Sequence, residues 1–168
     1  MSEMSDLNPA DPLDKMVTQA AEMAADVFAR DGHLLLVWIV ETLDSGFILP
    51  TPWGSPREKY AMIDVLRAMF ADVGAVRYVV IVEAWMAKVD GKKGEAPPRI
   101  EPSKHPNRVE AAVIMGSDKA GRSRMITRKI IRPKKAPAYL GEIRLIGARP
   151  SEMLGGDMVD LLVDKKQH

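Results

Sequence analysis

Val76-Arg77-Tyr78-Val79-Val80-Ile81-Val82-Glu83-Ala84-Trp85-Met86 is the stretch whose reading decides the fold. From Tyr78 to Val82 it is nearly all apolar, and Val79, Val80, Ile81 and Val82 are β-branched. Such a run reads as a strand buried on both faces. Downstream, three further strands fit residues 108–116, 122–132 and 138–147. They are joined by Ser117-Asp118-Lys119-Ala120 and by Pro133-Lys134-Lys135-Ala136-Pro137, connections short enough to make antiparallel neighbours. Between the first of these strands and the decisive stretch lies a charged, Pro-rich loop at 88–107, with Pro97, Pro98, Pro102 and Pro106. A structureless loop of that length inside a domain is typically functional or disordered.

Upstream, Ser55-Pro56-Arg57-Glu58 is a capping box that opens a helix, with Tyr60, Ile63, Leu66, Phe70 and Val73 as its apolar stripe and Gly74 as its end. Before it, Leu34 to Thr42 and Phe47-Ile48-Leu49 form the arms of a hairpin turned at Asp44-Ser45-Gly46. A first helix starts at Asp11-Pro12-Leu13-Asp14, where Asp11 accepts from a free backbone N–H, Pro12 supplies φ and Asp14 complements the dipole. Leu13, Met16, Val17, Ala20, Ala24, Val27 and Phe28 recur along it at helical spacing, and Gly32 closes it. Residues 1–10 read as a flexible tail, 11–163 as one domain ending in a short element near Asp157 to Val163, and 164–168 as a second tail.

This order predicts an α+β fold: two helices in the N-terminal half packed on a mainly antiparallel sheet of about five to six strands. Both helices are expected on one face, leaving the other solvated or open to a partner. The 168 residues suit one core, and the lack of cysteine excludes disulfides and thiolate chemistry. Met1-Ser2-Glu3-Met4-Ser5-Asp6 is not a secretory signal, and the apolar stretch Leu34 to Val40 is too short to span a bilayer. A cytoplasmic protein without membrane contact is expected.

Charge is unevenly placed. From Lys119 to Gly141 there are eight cationic side chains and no carboxylate, within a total of 24 Lys+Arg and 23 Asp+Glu. The remainder therefore carries 16 bases and 23 acids. On a strand, Arg122, Arg124, Arg128 and Arg132 share one face by period-2 alternation, and Lys134 and Lys135 extend the row at the next turn. A row of guanidinium groups matches successive anionic oxygens, so nucleic acid or an acidic protein is a candidate partner. A plainer reading gives the same bases cross-strand carboxylates. Depending on register, Arg128 faces Glu142 or Glu110, or Thr127 faces Glu110 with Lys129 diagonal to it. No aromatic residue lies between Lys119 and Ala138, which disfavours single-strand stacking.

A second candidate lies at the ends of two strands. If the strands flanking the long loop pair antiparallel, Glu83, His105 and Glu110 converge, a plausible ligand set for a divalent metal or an acid–base set. No local spacing such as H-E-x-x-H fixes it, and Arg77 or Arg108 offers these carboxylates ordinary partners. There is no P-loop, G-x-G-x-x-G or G-x-S-x-G, and no cofactor is expected. Trp53, between Pro52 and Gly54, either anchors a partner or staples its loop to the second helix.

Glu83-Ala84-Trp85-Met86 followed by Pro102-Ser103-Lys104-His105-Pro106-Asn107-Arg108-Val109-Glu110 resembles a pattern in small uncharacterised proteins of bacteria and their phages. The resemblance implies a bacterial or phage setting and carries no activity or site residue. The leading expectation is a non-enzymatic binding or accessory protein with a basic sheet face. The alternatives are a metal-dependent hydrolase using the Glu/His cluster, and a homo-oligomerising module in which the open face or an edge pairs with itself.

Overall fold

A computed structural model describes residues 7–51, 54–87, 104, 106–146 and 161–162. The chain runs α1 (Pro12–Asp31), β1 (Val37–Glu41), β2 (Gly46–Pro50), α2 (Pro56–Val73), β3 (Arg77–Ala87), β4 (Arg108–Asp118), β5 (Ser123–Ile131) and β6 (Tyr139–Leu145). The six strands form one sheet in the order β2-β1-β3-β4-β5-β6, with every neighbouring pair antiparallel. The architecture is α+β, two helices packed on an antiparallel sheet.

Both helix starts use the residues that the sequence offers. Asp11 accepts from the N–H groups of Leu13 and Asp14, Pro12 opens α1, and Gly32 closes it with φ 75°. Ser55 caps α2 by accepting from Glu58 N–H at 3.2 Å. The return bond of the capping box lands one residue early: Glu58 accepts from Gly54 N–H.

The expectation that both helices cover one face is corrected, because they lie on opposite faces. Val79, Ile81, Ala112, Ile114, Ile126 and Ile130 pack with Leu13, Val17, Ala20, Ala21, Ala24 and Phe28 of α1. Tyr78, Val80, Val113, Met115 and Met125 pack with Ile63, Leu66 and Phe70 of α2. Alternation along β3 and β4 puts apolar side chains on both sides, and each side needs its own cover.

The two layers are built differently. Small residues, Ala20, Ala21 and Ala24, bring α1 close to the sheet, and a Cβ added at Gly116 would sit 2.6 Å from Val17 Cγ2. On the other face aromatic rings space α2 from the sheet. Phe70 lies 5.4 Å from Tyr78 and 6.0 Å from Trp38, centroid to centroid. Trp38 and Tyr78 are themselves 5.6 Å apart, and Trp38 Nε1–H donates to Thr51 Oγ1 at 2.6 Å. Leu161 is buried on this side too.

Three further expectations are adjusted. Residues 7–10 are not a loose tail: Leu7 is buried against the α1 core, and Asn8 N–H donates to Asp14 Oδ2. Tyr60 and Val73 are exposed, so the buried stripe of α2 is only Ile63, Leu66 and Phe70. The β4–β5 turn centres on Ala120, because Asp118 Oδ1 accepts from both Ala120 N–H and Arg122 N–H while Gly121 takes φ 86°. Residues 1–6, the loop over 88–103 with His105, Trp53 and most of the C-terminal segment lie outside the described residues. No helix among the described residues is long and apolar enough to cross a membrane.

Candidate functional site

The arginine row does lie on one face, but it is the face that α1 covers. Arg124, Ile126, Arg128 and Ile130 alternate with Met125 and Thr127, and the two isoleucines belong to the α1 core. The guanidinium groups therefore rise beside the helix and are used by it. Arg122 bonds Asp11 Oδ2 at 2.6 Å and Asp118 Oδ2 at 2.9 Å. Arg124 Nε–H donates to Asp14 Oδ1 at 2.8 Å, and that carboxylate is only 2% exposed. Arg128 donates from Nε to the Gly141 carbonyl at 2.7 Å and from Nη1 to the Ala21 carbonyl of α1 at 3.1 Å. Three arginines, Arg122 in the turn before β5 and Arg124 and Arg128 on the strand, thus clamp the helix from its start to its middle.

Electrostatics agree with this geometry. The Arg122 hydrogen bond, helped by backbone N–H groups at the start of α1, lowers the Asp11 carboxyl to about 2. Arg122 is raised in turn by Asp11 and Asp118. Burial pushes Arg128 down, opposed by Glu22 and Asp26 of α1. Asp11 and Asp14 are also acidic groups at a helix N-terminus, where the dipole already favours them.

The carboxylate candidates join the far end of the row. Glu110 holds Arg132 in a two-point pair, Oε2 to Nε at 2.7 Å and Oε1 to Nη2 at 3.1 Å, and Arg132 lowers its carboxyl. The register places Lys129 opposite Ala111, so the expected opposition of Glu110 to Thr127 or Arg128 gives way to Arg132. Glu142 does not face Arg128 either. A bulge leaves Gly141 and Glu142 opposite Lys129, and Arg128 pairs with Ile143. Glu83 shares the α1 face with Glu110, since Glu83 pairs with Ala112 and Trp85 with Glu110. Its Oε1 accepts from Leu34 N–H at 2.6 Å, which ties the start of the first hairpin to β3. Arg108 stacks over Trp85 at 5.2 Å rather than pairing with either carboxylate. Among the described residues no group of three His, Asp or Glu side chains is placed to hold a metal ion.

Lys134 and Lys135 stand exposed on the β5–β6 turn. At the opposite side of the sheet, β2 is an edge strand with no described neighbour beyond it. Its residues, Gly46-Phe47-Ile48-Leu49-Pro50, carry no charge, and Ile48 is 57% exposed. Helix α1 lies over β3 to β6 and leaves an open cleft of about 480 Å³ towards β1, bordered by Pro12, Lys15, Met16 and Glu41. On the α1 face of the hairpin, Val37 and Ile39 are half-buried against the α1 core and exposed Ile48 lies directly across from Ile39, an apolar strip next to the edge. In the sequence Phe47-Ile48-Leu49 reads as a hairpin arm. Its lack of any Lys, Asp or Glu was the signal that could have marked it as a contact edge.

No family model, curated protein or solved structure matches the chain.

Proposed function

We infer that the chain is a non-enzymatic binding module whose contact surface is the outer edge of β2 with the apolar strip beside it. One observation carries this: β2 is uncharged, keeps an unshifted register with β1 over its whole length, and has no described strand on its outer side. An edge of that kind accepts an added extended chain through its main chain, and exposed side chains beside it supply specificity. The other edge makes the contrast. There β6 has the Gly141–Glu142 bulge and the exposed charges of Glu142 and Arg144, devices that discourage pairing.

Amide hydrogen exchange tests the reading. A synthetic peptide copying residues 46–51 should slow exchange at Gly46 and Ile48. Phe47 and Leu49, already turned to β1, should not change. Unaltered exchange at Gly46 and Ile48 at saturating peptide, at a protein dilution where light scattering gives the mass of one chain, would remove the edge reading.

A second reading keeps the polyanion partner but confines it to the β5–β6 turn, where Lys134 and Lys135 are exposed and no carboxylate lies from Lys129 to Gly141. It predicts weak, salt-sensitive retention on heparin that is lost in Lys134→Glu/Lys135→Glu. Retention unaffected by that pair would eliminate it.

A further inference from the structure

The main-chain phase of β2 can be read from its two ends. Thr42 N–H donates to Ser45 O at 2.8 Å, and Thr51 N–H donates to Leu36 O at 3.2 Å, so Ser45 and Thr51 turn their polar groups toward β1. By alternation Phe47 and Leu49 do the same, while Gly46, Ile48 and Pro50 turn theirs outward. The rim therefore offers N–H groups from Gly46 and Ile48, and carbonyls from Gly46, Ile48 and Pro50. Pro50 sits in the outward phase, where a missing N–H costs the sheet no ladder bond.

We propose that this rim pairs with the same rim of a second copy, antiparallel about a two-fold axis at Ile48, giving one continuous sheet across a dimer. This rests on the edge reading above and names its partner. In that register the two Ile48 residues exchange a pair of N–H···O bonds on the axis. At each end the Gly46 N–H of one copy meets the Pro50 carbonyl of the other, so the acceptor-only residue falls opposite a donor. The rim is self-complementary, as an isologous interface requires.

Side chains support the same partner. Ile48 lies on the α1 face, opposite Ile39, so pairing places the two Ile48 side chains next to each other. The strips of Val37, Ile39 and Ile48 then merge across the axis. No charge is brought against its own copy, since β2 carries none and Asp44 lies beyond the paired residues. The bulged and charged β6 edge blocks the same chemistry on the other side, so pairing closes at two copies instead of continuing as a filament.

Multi-angle light scattering across a concentration series tests the proposal. The mass should rise from 18.6 kDa toward twice that value, and Ile48→Lys should return it to that of one chain with the far-UV spectrum unchanged. Leu43→Lys, in the exposed turn beside the rim, should leave the dimer intact. The wild-type chain needs no variant for the second readout. Exchange at Ile48 N–H should slow by at least about tenfold as the dimer forms, because that amide becomes a ladder donor. A dimer that survives Ile48→Lys, or one whose Ile48 amide stays unprotected, overturns the proposal. So does a single-chain mass at every concentration. If in that last case the peptide copying residues 46–51 still slows Gly46 and Ile48, the edge reading stands and only the second copy is wrong; if it does not, both fall.

Discussion

Arg124→Ala separates a clamp from a binding face. Were Arg124 an open-face cation, its removal would leave stability unchanged and weaken retention on a polyanion. The geometry gives the opposite result. The partner, Asp14, is 2% exposed, and its described acceptor bonds are with Arg124 Nε–H and the Asn8 N–H. A hydrogen bond to a charged group contributes about 1.5–3 kcal/mol, and breaking a fully buried pair costs about 3–5 kcal/mol because a charge is left behind. The Arg124 side chain is 39% exposed, so solvent screens part of that penalty and the lower range applies. The expected loss is about 2 kcal/mol, a Tm decrease of roughly 4–8 °C for a chain of this size. Thermal unfolding by circular dichroism measures it, and a double-mutant cycle with Asp14→Asn isolates the pair. The salt concentration at which the protein leaves heparin should not move. A Tm within about 1 °C of wild type, where unengaged surface substitutions fall, together with earlier elution, would refute the clamp.

Three more expectations follow from the same packing. Gly116→Ala places a Cβ 2.6 Å from Val17 Cγ2 and 3.0 Å from Leu13 Cδ1, so urea unfolding should show a loss of about 1–3 kcal/mol from overpacking between β4 and α1. Phe70→Ala removes the ring that spaces α2 from Trp38 and Tyr78 and should cost about 3–5 kcal/mol, with the near-UV aromatic signal reduced. Acid should act through Asp11, whose carboxyl is lowered from 3.8 to about 2 by Arg122, and through Glu110, lowered by Arg132. The folded state binds these protons less readily than the unfolded chain, so the contribution is complete above the ordinary carboxylate range and is lost as pH falls from 3.8 toward 2. Denaturant midpoints over that interval should decline, and Arg122→Gln should flatten the decline.

The sequence was most legible where one residue's chemistry acts locally. Asp11, Pro12 and Gly32 bound α1, and Ser55 and Gly74 bound α2, because caps depend on a few neighbouring φ/ψ values and side-chain oxygens. It was less legible wherever two elements had to be placed against each other. The apolar run from Tyr78 to Val82 already required cover on both faces, which is incompatible with two helices on one. Period alone shows that Val79 and Val80 point apart, without saying which helix meets which. The arginine row shows the same limit. Alternation correctly grouped Arg124 with Arg128, yet Ile126 and Ile130 share that alternation, so the face holding the arginines is also a core face. A face bearing buried isoleucines must lie under an element, and cations beside it then find helix carboxylates and carbonyls instead of solvent. Register was the remaining obstacle. The Asp118 turn and the Gly141–Glu142 bulge each shift pairing, and such shifts reassign Glu110 to Arg132 and remove Glu142 from Arg128. Among the described residues β2 is an edge strand with no charge to draw notice, and what it leaves without a described partner is main-chain groups rather than side chains.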